Sequence, residues 1–137
     1  MKILCVGGDY YPEILSALTG SATKIIKNES KKLKLTPMKL IKVPGIFEIP
    51  VVIAKNINSY DGFVALGCVI KGETPHFEII SKATINAIMD LSVKFKKPIG
   101  NGIITCLNKK QALERADPTK KNRGGEAARA VLSVLEF

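Results

Sequence analysis

Tryptophan is absent from this 137-residue chain, aromatic residues make up 6% of it, and there is a single histidine. So small an aromatic complement supplies a poor stacking platform for single-stranded nucleic acid. The lone histidine has no second histidine or cysteine partner at useful spacing, which speaks against a catalytic triad or a metal site. Cysteine is scarce and odd in number: Cys5, Cys68 and Cys106 stand far apart, each inside an apolar run. That spacing fits neither a disulfide framework nor a zinc set, and it predicts reduced core thiols in a cytoplasmic protein. No apolar stretch approaches the length of a membrane span. Met1-Lys2 leads into only four apolar residues before Gly7-Gly8-Asp9, so no signal-peptide core is expected.

Acidic residues are the other shortage: 12 Asp+Glu against 21 Lys+Arg leave a net charge of +9. The excess is spread evenly, +5 on residues 1–60 and +4 on residues 61–137, with no basic tail. Eighteen of the 21 basic residues are lysines, and only Arg115, Arg123 and Arg129 offer the planar fork suited to phosphates and base edges. A solvated lysine surface accounts for most of the charge; a small basic nucleic-acid-binding module without catalytic activity remains the alternative. The apolar fraction of 46% argues against disorder and points to more apolar surface than a lone monomer wants. The length suits a single domain, 1–137, able to bury a sufficient core without disulfides or metal.

Short apolar runs alternate with helical periodicity. Residues 2–6 predict a buried strand ended by Gly7-Gly8. Pro12 suits a first helical position, and Ile14, Leu15, Leu18, Ala22, Ile25 and Ile26 follow at helical spacing to about residues 28–32. A second strand over about 38–43 stops at Pro44-Gly45, and Pro50 opens a helix to roughly Asn58. Residues 62–70 form an unbroken apolar run, expected where both faces of a parallel sheet are covered. Thr74-Pro75 reads as an N-cap and first helical residue of a long helix to about Lys96, with Phe77, Ile80, Thr84, Ala87, Ile88, Leu91 and Phe95 as its stripe. A fourth strand over 99–106 contains Gly100-Asn101-Gly102, read as a break. Asn108 and Gln111 form a capping-box signature for a short helix to Ala116. Ala127, Ala130, Val131, Val134 and Leu135 mark the face of a last helix.

Such alternation predicts an α/β fold, a parallel sheet with right-handed crossovers and helices on both faces. Ligands bind beyond the carboxyl ends of the strands in such folds. Unusual residues gather at those ends. In Gly67 to His76, a glycine turn leads into a helix N-terminus, whose free N–H groups suit a phosphate or carboxylate. His76 falls in the first helical turn, placed to exchange protons at the mouth of the site. Val43 to Pro50 sets Phe47 and Glu48 at a second strand end between two prolines; Glu48 either serves a ligand or favours the helix dipole there. Tyr10-Tyr11 could stack on a planar ligand or cover the sheet edge. Arg115 could clamp a phosphate bidentately.

Four segments carry a resemblance: Val43-Pro44-Gly45-Ile46-Phe47-Glu48-Ile49-Pro50, then Ala65 through Phe77, then Glu114-Arg115-Ala116, then Gly124-Gly125-Glu126-Ala127-Ala128. In order and over essentially the whole chain, they resemble the 6,7-dimethyl-8-ribityllumazine synthase family. The resemblance implies a flavodoxin-like three-layer αβα sandwich with a four-stranded parallel sheet. It implies a cytoplasmic transferase at the penultimate step of riboflavin biosynthesis, with riboflavin synthase as pathway neighbour. There, 5-amino-6-(D-ribitylamino)uracil condenses with 3,4-dihydroxy-2-butanone 4-phosphate, giving the lumazine, phosphate and water. No metal or organic cofactor is implied.

By the same resemblance, Tyr10 stacks on the pyrimidine ring and Ile46, Phe47 and Glu48 hold the ribityl chain. Cys68, Val69 and Ile70 read the uracil edge with their backbone. Glu73 and Thr74 bind the butanone phosphate, Arg115 clamps it, and His76 transfers protons. Arg115 and Asn101 serve a neighbouring subunit's site, which implies an obligate ring, typically a pentamer, and accounts for the apolar excess. The position of Asn101 often carries Phe, so a polar contact replaces ring stacking there. Lys71 stands where Arg is common and Arg123 where Lys is usual, both as weaker supporting site residues. The loop 117–122 lacks the glycine-rich turn of capsid-forming members, and the first strand begins at residue 2 without an N-terminal arm. The expectation is a pentamer or two stacked pentamers. A flavodoxin-like carrier, or a lumazine-binding homologue without catalysis, is the rival within the fold, and the presence of Glu48, His76 and Arg115 speaks against it.

Overall fold

A computed structural model describes residues 1–137. Four strands run parallel in the order β2-β1-β3-β4: β1 over Ile3–Gly8, β2 over Lys39–Val43, β3 over Gly62–Ile70 and β4 over Ile99–Cys106. Five helices connect and flank them: α1 Pro12–Leu33, α2 Ile49–Lys55, α3 His76–Phe95, α4 Lys109–Ala116 and α5 Arg123–Leu135. This is the three-layer αβα arrangement expected of a flavodoxin-like chain.

Strand alternation sorts the core into two layers. Ile3, Cys5, Val64, Leu66, Ile104 and Cys106 face one way and pack under α1, α4 and α5. Leu4, Val6, Phe63, Ala65 and Ile103 face the other way, against α2 and α3. Every residue of β1 and the first seven of β3 are buried, because both central strands are covered on both faces. β4 is the outer strand beyond β3, and it is continuous through Gly100-Asn101-Gly102. The glycines there do not break it. A side chain at Gly100 would run into the Ala127 carbonyl, so this glycine lets α5 press closely on the strand.

Local chemistry sets the helix ends. α1 starts at Pro12, with Tyr11 as N-cap at φ −117° and ψ 88°, and it carries Glu13 in its first turn and Lys31 and Lys32 in its last. The Asn108 Oδ1 accepts the Gln111 N–H at 2.9 Å, capping α4. The Gln111 Oε1 in turn accepts the Leu107 N–H at 2.8 Å rather than the Asn108 N–H. Two expected boundaries shift. α2 runs only to Lys55 and is preceded by a 3₁₀ turn over Ile46–Glu48. α3 starts at His76 with Pro75 as its cap, one residue later than Thr74-Pro75 alone suggests.

Two helical faces also differ from the sequence stripes. On α5 the buried set is Gly124, Gly125, Ala127, Ala128, Val131 and Leu132, whereas Ala130 and Val134 face solvent. Gly124 and Ala127, invisible to a search for large apolar residues, make the close approaches to α1 and β4. On α3 only Ser81, Thr84 and Ile88 are fully buried, and Phe95 lies on the exposed side. No helix is long and apolar enough to cross a membrane.

Candidate active site

A cleft of about 450 Å³ opens beyond the carboxyl ends of β1 and β3. Its floor is built by close approach. The segment after β2 folds over the strand ends because Gly8 and Gly67 have no side chains. A Cβ at Gly8 would stand 3.0 Å from the Gly45 carbonyl carbon, and one at Gly67 would stand 2.6 Å from the Ile46 Cγ2. Ile46 is buried there, while the next residue, Phe47, is turned out and 60% exposed.

Glu48 comes next. Its Oε1 accepts the Gly45 N–H at 2.9 Å, closing the 3₁₀ turn. One carboxylate oxygen thus shapes the turn, and the residue also lines the cleft. Cys68, Val69 and Ile70 line the opposite side from the end of β3. Burial pushes the Cys68 thiol up to about 12, with the neighbouring Cys106 adding to the shift, so it stays protonated and serves as an apolar wall rather than a nucleophile. His76 stands at the rim, one turn before Ile80. Its backbone N–H reaches the Thr74 Oγ1 at 3.4 Å, a long contact that leaves the first turn of α3 open to an anion.

Tyr10, Ile46, Phe47, Glu48, Cys68, Val69, Ile70 and His76 thus meet in one cleft. Ile80 lines it as well, though no motif singles it out, and so does Tyr11, which the sequence pairs with Tyr10 as a stacking or edge-covering residue. Their signals were present: Tyr11 sits directly before the helix-opening Pro12, and Ile80 follows His76 at helical spacing. Lys71, Glu73 and Thr74 lie on the exposed turn above the cleft and do not line it.

Asn101, Arg115 and Arg123 are elsewhere. They line a separate depression of about 350 Å³ on the outer edge of β4, with Ile103, Ile104 and Thr105. The Asn101 Oδ1 accepts the Ile103 N–H at 3.1 Å. Arg115 Nη1 donates to the Thr105 carbonyl at 2.6 Å and meets the Cys106 Sγ at 3.5 Å. Those contacts anchor the half-buried guanidinium and leave most of its N–H fork unspent. Arg123 pairs with Glu126 at 3.1 Å on the surface. The site candidates thus fall into two separate groups, one beyond the carboxyl ends of the central strands and one along the outer strand β4. Nowhere do three or more His, Cys, Asp or Glu side chains group as they would around a metal.

Comparison with known proteins agrees with this geometry. The family described as 6,7-dimethyl-8-ribityllumazine synthase matches residues 1–137. A Bartonella tribocorum protein named 6,7-dimethyl-8-ribityllumazine synthase is 45% identical over 137 residues, covering 97% of this chain and 87% of its own. Rhodopseudomonas palustris 6,7-dimethyl-8-ribityllumazine synthase 1 is 43% identical, over 99% of this chain and 85% of its own. The Novosphingobium aromaticivorans enzyme of the same name is 41% identical, over 98% and 94%. With motifs, fold and strand-end cleft all in place along its full length, the chain belongs to the 6,7-dimethyl-8-ribityllumazine synthase family.

Proposed function

We propose that the protein condenses 5-amino-6-(D-ribitylamino)uracil with 3,4-dihydroxy-2-butanone 4-phosphate, releasing the lumazine, phosphate and water. The observation that carries this reading is the cleft itself. An exposed aromatic ring, a carboxylate, a strand end and the lone histidine converge at the carboxyl edge of a parallel sheet. Tyr10 stacks on the pyrimidine, the Glu48 carboxylate accepts from a ribityl hydroxyl, and the backbone at Cys68, Val69 and Ile70 reads the uracil edge. The turn at Glu73-Thr74 and the open start of α3 receive the phosphate. His76 at the rim moves protons during imine formation, phosphate elimination and ring closure. Holding two reactants together supplies much of the rate, so a site with a single imidazole suffices.

The second group of site residues belongs to the same reading. Asn101 and Arg115 sit on the β4 edge, away from the cleft of their own chain, and serve the cleft of a neighbour. Ile79, Met89 and Val93 stand more than 60% exposed along α3, apolar surface that a ring of copies covers. The assembly is a pentamer or two stacked pentamers, in the cytoplasm, without nucleic acid or membrane as partner.

The deciding experiment supplies both substrates to the purified protein and follows lumazine absorbance. A rate no higher than the uncatalysed condensation overturns the assignment, and salt-sensitive nucleic-acid binding in its place favours the basic-module alternative. Native mass measurement checks the assembly: five or ten chains are expected, and a particle near 60 chains overturns it.

A further inference from the structure

Tyr10 and Tyr11 are adjacent in sequence but differ in how they are held. Tyr10 is 73% exposed, and its ring meets the Tyr11 ring edge to face, centroids 4.9 Å apart and planes at 72°. Tyr11 is half-buried and packs against the core layer beneath α1. Its backbone is pinned as the N-cap, its carbonyl accepting the Ile14 N–H at 3.1 Å and the Leu15 N–H at 3.0 Å. The following Pro12 restricts Tyr11 further to extended backbone. Burial, followed by the neighbouring Cys68 and Tyr10, raises the Tyr11 phenol above its ordinary range, so it stays neutral. One tyrosine is therefore a fixed point and the other a projecting plate. An edge-to-face contact leaves at least one face of Tyr10 open to a planar ligand.

We infer that Tyr11 is a positioning residue for the substrate pyrimidine: its ring holds the Tyr10 ring in place as the stacking wall of the cleft. Without that contact an exposed tyrosine side chain samples several rotamers, and ordering it on binding weakens affinity. The inference rests on the reading of this cleft as the ribitylaminouracil site.

The test compares Tyr11→Phe, Tyr11→Leu and Tyr10→Ala in the full-length protein, each substrate being varied in turn. Tyr11→Leu keeps apolar packing and removes the ring. It is expected to raise KM for the ribitylaminouracil about two- to tenfold, the worth of one aromatic pair, with kcat and the KM for the butanone phosphate within twofold. Tyr11→Phe keeps the ring and is expected to restore the KM. Tyr10→Ala is expected to raise the same KM at least as far. Equal changes in both substrates' KM values, no change with Tyr11→Leu, or failure of Tyr11→Phe to rescue overturns the inference. If Tyr10→Ala leaves the ribitylaminouracil KM untouched, the reading of the cleft fails; if only Tyr11→Leu is silent, the positioning role alone fails.

Discussion

Ile46 and Gly67 are matched as knob and hollow: the Ile46 Cγ2 lies where a side chain on Gly67 would begin, 2.6 Å from the position of its Cβ. The two come from separate segments, the 3₁₀ turn after β2 and the middle of β3. Their fit sets the height at which Phe47 and Glu48 stand over the sheet, and it joins the packing of the core to the shape of the cleft.

Gly67→Ala is therefore expected to destabilise the fold by about 1–3 kcal/mol, the usual cost of forcing a methyl into a packed site. It should also raise KM for the ribitylaminouracil as the turn is displaced. Denaturant unfolding of Gly67→Ala, Ile46→Ala and the double variant checks it. The Gly67→Ala penalty should shrink when Ile46 is already Ala, and strictly additive penalties would refute the contact.

Arg115→Ala is expected to raise the apparent KM for the butanone phosphate by about 10- to 100-fold, the worth of charged hydrogen bonds to one phosphate. Steady-state kinetics with that substrate varied reads the effect, and an unchanged KM removes Arg115 from the site. Arg115 lies apart from the cleft of its own chain, so if the proposed ring forms, mixed assemblies of Arg115→Ala and His76→Ala subunits should regain activity beyond either parent. No recovery would place both residues in one subunit's site.

His76→Ala is expected to slow kcat by about a hundredfold at most, the lower end for removing a positioned acid–base group. The bound pair of reactants still gains from proximity. A single-turnover measurement of lumazine formation isolates the step, and an undiminished rate there ends the proton-transfer assignment.

Stability should decline in alkali for a reason that lies in two thiols. Burial holds both Cys5 and Cys68 up to about 12, against the ordinary value of 9.0. The unfolded chain loses these protons first, so their contribution is complete below pH 9 and is lost as pH climbs toward 12. Urea midpoints between pH 8 and 11 should fall, and fall less steeply in Cys5→Ala. Equal slopes in the two proteins would count against the thiol as the cause.

Much of this was legible in the residues because one pattern served several purposes. The unbroken apolar run 62–70 predicts a doubly covered strand and is β3 to the residue. Pro12 marked the start of α1, and Asn108 the cap of α4. Legibility fell where small residues carry the packing. Gly124, Gly125, Ala127 and Ala128 form most of the buried face of α5, while the larger Val134 points outward. Gly100 and Gly102 look like a strand break, yet they stay in register with β3 because close contact with α5 and Leu66 leaves room only for glycine.

The site divides along the same line. Residue chemistry named Glu48, His76 and Arg115, and the strand-helix alternation placed all three near the carboxyl edge of a parallel sheet. Local pattern alone could do this, because side-chain function and helix and strand periods are written within a few consecutive residues. The folded chain decided which of them face one another. It joined Tyr10, Glu48, Cys68 and His76 in one cleft and carried Asn101 and Arg115 to the far edge of β4. Strand order made that separation: β1 and β3 are neighbours at the centre and β4 is the outermost strand. Such an order arises from long-range pairing and burial, which no short stretch of sequence contains.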